Sequence, residues 1–184
     1  AGEASLPQVY IADMRQELKT GNRTIFSRKL YELISDRLNK HEQIMLFLNK
    51  RGTAGFVSCR SCGYVMKCPH CDVSMTLHRN GKLVCHYCGY ETPNVSLCPE
   101  CGSKYILGFK AGTEAVEDAV KKMFPAARVL RMDMDTTKGK DGHENILSAF
   151  ATEQADILIG TQMIVKGHDF PKVTLVGRYI LVCK

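Results

Sequence analysis

Apolar and polar positions along the chain change period several times, and each change marks an element. Residues 44–48 (Ile-Met-Leu-Phe-Leu) form an unbroken apolar run, the pattern of a parallel strand buried on both faces. Residues 129–132, 157–160 and 173–176 predict further strands. Between them the period is helical. Leu30, Leu33, Ile34 and Leu38 share one face of a helix that Ser27 caps and that runs to about residue 40. Gly112-Thr113-Glu114 opens a second helix, which Pro125 stops after Phe124. Residues 143–151 predict a third, after a polar loop at 133–142. Strands alternating with helices of these lengths argue for an α/β fold built on a parallel sheet. Residues 7–26 read as an extended lead-in, with 9–14 a short strand. Residues 55–58 and 105–109 predict two more strands, the second returning the chain to the main body.

The alternation stops at Ser58 and resumes at Tyr105, and the cysteines fill the gap. Eight of the nine form four C-x-x-C pairs: Cys59/Cys62, Cys68/Cys71, Cys85/Cys88 and Cys98/Cys101. A C-x-x-C turn aims two thiolates at one ion, and two such turns complete a tetrahedron around Zn²⁺. Four pairs therefore predict two structural zinc ions; four thiolates alone would also suit iron. Gly63, Gly89 and Gly102, each just after a pair, suit a backbone that must turn toward a metal. A disulfide framework would spread its cysteines along the whole chain, whereas these sit within 59–101. No apolar run is long enough to span a membrane, and no signal peptide begins the sequence.

Two pairings are open. Sequential pairing joins neighbouring pairs. Nested pairing joins Cys68, Cys71, Cys85 and Cys88 across thirteen residues and leaves Cys59, Cys62, Cys98 and Cys101 to close the base. Nesting is favoured, because residues 74–78 and 82–84 can form a hairpin turning at Asn80-Gly81. A hairpin between two metal knuckles is the zinc-ribbon design, and nesting brings the ends of an insertion together. His70, His78 and His86 are competing ligands, but eight thiolates already fill both tetrahedra, so they read as loop or surface residues.

Composition changes this picture little. The chain has 184 residues, 45% of them hydrophobic, enough for one ordinary domain and a small one. The cysteine region reads as too short and polar for a core of its own, so metal must order it. Reduced, metal-bound thiols fit a cytosolic compartment. The net charge of +6 favours an anionic partner but is too dispersed to locate a nucleic-acid face.

The other chemical signal lies at 156–171, DILIGTQMIVKGHDFP. A buried strand runs into Thr161-Gln162, then Lys166-Gly167-x-Asp169. Hydroxyls and amides at the carboxyl end of a parallel strand can grip a phosphate. This segment resembles motif V of superfamily 2 helicases, in the form carried by the primosomal replication-restart DNA helicases. Residues 22–28 and 44–52 (the latter similar to motif IV), Gly112-Thr113-Glu114 with Phe124-Pro125, and 132–136 follow in that family's order, as do the four cysteine pairs. The resemblance covers about residues 7–177.

The resemblance implies a RecA-like helicase lobe 2 interrupted by the zinc insertion. Residues 1–58 are its first part, 59–101 the insertion, 102–177 the remainder and 178–184, with Cys183, an unmatched tail. The parent protein would be an ATP-dependent 3′-to-5′ DNA helicase that acts at stalled or abandoned forks and restarts replication by primosome assembly. It would use ATP and Mg²⁺ besides two Zn²⁺, in a bacterial cytoplasm. Its partners would be forked and single-stranded DNA, restart primosome proteins and single-stranded DNA-binding protein. The sequence contains no G-x-x-x-x-G-K-[ST] phosphate loop, so this segment alone is expected to be inactive as an ATPase. Gly167 and Asp169 are expected near the nucleotide. Lys50, Arg51, Thr113, Thr161 and Gln162 are expected along the DNA backbone. The rival reading is a non-enzymatic zinc-ribbon module that binds nucleic acid or protein.

Overall fold

Two helices, α1 (Met14–Lys19) and α2 (Arg28–Asn39), precede β1 (Gln43–Leu48). Short strands follow: β2 (Val57–Cys59), β3 (Thr76–Leu77), β4 (Lys82–Val84), β5 (Glu91–Pro93) and β6 (Ile106–Gly108). The alternation then resumes with α3 (Thr113–Met123), β7 (Val129–Met132), α4 (Gly142–Ala151), β8 (Ile157–Gly160) and β9 (Val173–Tyr179). This computed structural model describes residues 6–48, 56–78, 80–108, 113–133, 136–137, 142–161 and 169–179.

The strand β1 is central because its side chains are apolar in both directions. It pairs in parallel with β8 on one side and β9 on the other, giving the order β7-β8-β1-β9. Ile44, Leu46 and Leu48 join Ile157 and Ile159 on one face, where Ile34 of α2 and Val116 and Val120 of α3 cover them. Met45 and Leu158 point to the opposite face, onto Leu147 and Phe150 of α4. Helices on both faces are what a parallel sheet requires. Ser27 caps α2 by accepting a hydrogen bond from the Leu30 amide at 3.1 Å.

The strand β9 passes close under α2. A Cβ built on Gly177 would stand 2.7 Å from Leu46 Cδ2 and 3.2 Å from Leu30 Cδ1. Leu46 is fully buried and has little room to move. Gly177→Val is therefore expected to lower stability by about 1–3 kcal/mol, the cost of overpacking. Urea unfolding followed by circular dichroism checks this; an unchanged midpoint would mean that β9 can shift outward.

Several expectations are corrected. Residues 9–14 pair with no strand among the described residues. Val9 and Ile11 are exposed, and Asp13 caps α1 through its carboxylate, which accepts from the Arg15 amide at 2.9 Å; a capped helix start takes the place of the end of the expected strand. The strand expected at 105–109 does not return to the parallel sheet. It is β6, which pairs antiparallel with β2 as the stem of the cysteine region. The strand expected to end at 176 continues through Arg178 and Tyr179, opposite Phe47 and Leu48.

The cysteine region also has a small core after all. Val57, Met66, Met75, Leu83 and Ile106 are buried together with Cys59, Cys68, Cys85 and Cys98. The hairpin expected at Asn80-Gly81 is present as β3–β4, and β5 adds a third antiparallel strand.

Candidate metal centres and the carboxyl edge of the sheet

Each cysteine pair begins with the same backbone turn. The amide of the residue after the second cysteine donates to the carbonyl of the first: Gly63 to Cys59, Asp72 to Cys68, Gly89 to Cys85 and Gly102 to Cys98, at 2.8–2.9 Å. The amide of each first cysteine donates back across the turn, to the carbonyls of Tyr64, Val73, Tyr90 and Ser103. Closing this turn needs a left-handed residue after the second cysteine. The φ values are 84°, 54°, 77° and 67° for Gly63, Asp72, Gly89 and Gly102. Glycine is free to adopt them, and aspartate is among the few other residues that tolerate them. Asp72 is therefore a fourth knuckle residue. Its position just after Cys71 was the available signal.

The four turns meet in nested pairs. Cys59, Cys62, Cys98 and Cys101 form one cluster and Cys68, Cys71, Cys85 and Cys88 the other, with the ligand atoms in each within 4.8 Å of one another. Cys59 and Cys101 sulfurs are 3.7 Å apart, as are those of Cys62 and Cys98, and Cys68 and Cys88 are 3.6 Å apart. A tetrahedron of Zn–S bonds of about 2.3 Å puts its sulfurs about 3.8 Å apart. None of the eight is in a disulfide.

The electrostatics of the thiols also call for a cation. Burial pushes the Cys59 thiol up, but the amides of Cys62 and Ser61 more than reverse this and bring it to about 7. Burial, with its sulfur neighbours, pushes Cys62 up to about 12. In the second cluster the Cys88 amide brings Cys85 down to about 7, whereas the adjacent Cys88 sulfur and then burial push Cys71 up to about 12. Each cluster thus holds one ready thiolate and one that stays protonated without a positive charge between the sulfurs. A divalent ion supplies that charge and displaces the protons. The donor set, spacing and electrostatics fit two tetrahedral Cys₄ ions.

The remaining site candidates fall on the sheet. Because β7 and β8 are parallel and in register at Met132 and Gly160, Asp133 and Thr161 leave at the same carboxyl edge. Thr113, the first residue of α3, is 6% exposed. Its hydroxyl donates to Asp133 Oδ2, which also accepts from Arg131 Nη1 at 3.0 Å. The structure therefore brings Thr113 and Thr161 to one edge, with the Thr113 hydroxyl turned inward onto Asp133. Asp169 is exposed and lies on the connection into β9, whose amino end is aligned with that of β1. Lys50, Arg51, Gln162, Gly167 and Cys183 lie outside the described residues.

Residues 68–93, which carry the second cysteine cluster and its hairpin, match the family model of the PriA DNA helicase Cys-rich region (CRR) domain. The whole chain is similar to curated relatives called replication restart protein PriA. It is 57% identical to that of Bacillus subtilis over 94% of this chain. The figures are 49% over 94% for Synechocystis and 37% over 96% for Haemophilus influenzae.

The chain belongs to the PriA family.

It covers 22%, 21% and 24% of the lengths of those three relatives, so it corresponds to one segment of a PriA-family protein. The family model ends at residue 93, inside the outer cysteine set, so the cluster at Cys59, Cys62, Cys98 and Cys101 rests on the geometry above.

Two further features escaped sequence reasoning. Asp133 gathers Thr113, Arg131 and Thr136 around one carboxylate. Arg60, inside the first knuckle, donates to the carbonyls of Arg23 at 2.9 Å and Asn22 at 3.0 Å. It ties the metal module to the loop ahead of α2. Nothing in the local sequence pattern distinguishes Arg60 from an ordinary surface arginine.

Proposed function

We propose that this chain is the second helicase lobe, with its zinc-binding insertion, of an ATP-dependent 3′-to-5′ DNA helicase that acts at stalled or abandoned replication forks and restarts replication by primosome assembly. The observation that carries this reading is architectural. A four-stranded parallel sheet is interrupted after β1 by a module with two Cys₄ clusters, in a chain 57% identical to a replication restart protein over nearly its whole length. ATP and Mg²⁺ would be bound with the help of parts of the protein beyond this segment, since no phosphate loop lies within it. In the assembled motor, Gly167 and Asp169 would lie near the nucleotide. Lys50, Arg51, Thr161 and Gln162 would follow one DNA strand, with Thr113 setting the start of α3 beside them. Such contacts hold the phosphate backbone and read no bases. Forked and single-stranded DNA, restart primosome proteins and single-stranded DNA-binding protein would be the partners. The setting would be a bacterial cytoplasm; no described helix is long and apolar enough to cross a membrane.

The test is DNA-stimulated ATP hydrolysis. The full-length protein is expected to hydrolyse ATP when single-stranded DNA is added, and this segment alone is not. Asp169→Ala in the full-length protein is expected to reduce turnover while leaving two zinc ions bound. A full-length protein that binds DNA but shows no DNA-dependent turnover would instead be a passive zinc-ribbon binder. Undiminished turnover in Asp169→Ala would remove that residue from the nucleotide site.

A further inference from the structure

The sheet of the metal module carries two imidazoles that the cysteine clusters do not use. His78 follows β3, and its amide donates to the Lys82 carbonyl at 2.9 Å, extending the hairpin by one pair. His86 lies inside the knuckle that follows β4. Their Nε2 atoms are 3.2 Å apart, with ring centroids at 5.0 Å and planes tilted by 44°. A tetrahedral ion with Zn–N bonds of about 2.05 Å holds two imidazole nitrogens about 3.3 Å apart. The pair therefore already stands at the separation of a chelate, on strand and knuckle backbone that the neighbouring cysteine cluster braces.

We propose that His78 and His86 form a third metal site, a two-histidine chelate for a divalent transition ion such as Zn²⁺, distinct from the two Cys₄ centres. Coordination needs the Nε2 lone pair of both rings, so each must carry its proton on Nδ1. The Nε2–H hydrogen bond that one ring can offer the other is the arrangement the ion replaces. Two protein donors leave the other positions to water or to a donor brought by a partner, an open site of the kind that exchanges its ligands. The strand registers place Glu91, held by Lys82 at 3.0 Å, on the same face of the sheet. Imidazole pairs of this kind favour Zn²⁺, Ni²⁺ and Cu²⁺ over Mg²⁺ or Ca²⁺.

The experiment titrates Zn²⁺ by calorimetry into the zinc-loaded protein, whose two resident ions are first counted by metal analysis. A third equivalent is expected, weaker than the resident two and lost in both His78→Gln and His86→Gln. Mg²⁺ should give no such binding. His86 sits between two cluster cysteines, so if His86→Gln also loses a resident ion, His78→Gln, outside every knuckle, decides the matter alone. Absence of a third equivalent in the wild-type protein, or its persistence in His78→Gln with two resident ions intact, would overturn the proposal and leave the pair as a hydrogen bond between rings.

Discussion

Replacing Cys85 by serine is expected to release one zinc ion and leave the other in place. The same result is expected for Cys68, Cys71 and Cys88, and the complementary ion should be lost from Cys59, Cys62, Cys98 or Cys101 variants. The two sets follow from the nested clusters. Structural zinc in such small modules is worth about 10 kcal/mol or more, whereas the apolar cluster around Met66, Met75 and Leu83 is small. Loss of the inner ion should therefore unfold β3, β4 and β5. Loss of the outer ion should go further, because Cys59 lies in β2, where the module is joined by its β2–β6 stem. Protons compete for the thiolates, so zinc affinity should fall as pH falls. Amide spectra at substoichiometric metal give the check: resonances of the parallel sheet should stay fixed while those of the module collapse. Loss of both ions from a single Cys85→Ser change, or shared loss between Cys59 and Cys68 variants, would contradict the nested arrangement.

How far the sequence foretells this structure depends on how local the cause is. The strand β1 was legible because Ile44 to Leu48 are apolar in both directions, and only a sheet covered on both faces accepts that. The nested clusters were legible because C-x-x-C spacing is a local constraint and Asn80-Gly81 sets the turn between the inner pairs. The course of residues 105–109 was not. An apolar run announces a strand but not its partner, and β6 found β2 because the outer cluster holds Cys59 against Cys101. The first helix was missed for a related reason. Val9, Tyr10 and Ile11 look like a strand, yet they are exposed and the chain turns into α1 at the Asp13 cap. Thr113 shows the limit for site residues. Its place at the start of α3 followed from Gly112-Thr113-Glu114, but its hydroxyl is directed by Asp133, twenty residues on.

Gln43→Leu is expected to destabilise the parallel sheet by about 1–3 kcal/mol without changing zinc content. Gln43 opens β1 and is one of few buried polar side chains, 5% exposed. Its Nε2 donates to the carbonyls of Phe150 and Ala155, both at 2.8 Å. These carbonyls belong to the end of α4 and the turn into β8, so one amide fixes three elements at the amino edge of the sheet. Leucine keeps the volume and removes both donors. The Phe150 carbonyl retains the Glu153 amide at 3.1 Å, which limits its loss, while the Ala155 carbonyl loses its side-chain donor. An unsatisfied buried acceptor costs about 1–3 kcal/mol. Gln43→Glu separates hydrogen bonding from packing. At neutral pH it sets a carboxylate against two carbonyl oxygens, which raises its folded pKa above the unfolded value. The folded state then binds the proton more tightly, so this variant should gain stability as pH falls toward the carboxylate range, where a protonated carboxyl donates again. Urea midpoints for both variants at several pH values test the argument. A Gln43→Leu midpoint equal to wild type, or a Gln43→Glu protein that loses stability relative to wild type on acidification, would show that the Gln43 amide does not hold α4 and β8 to β1.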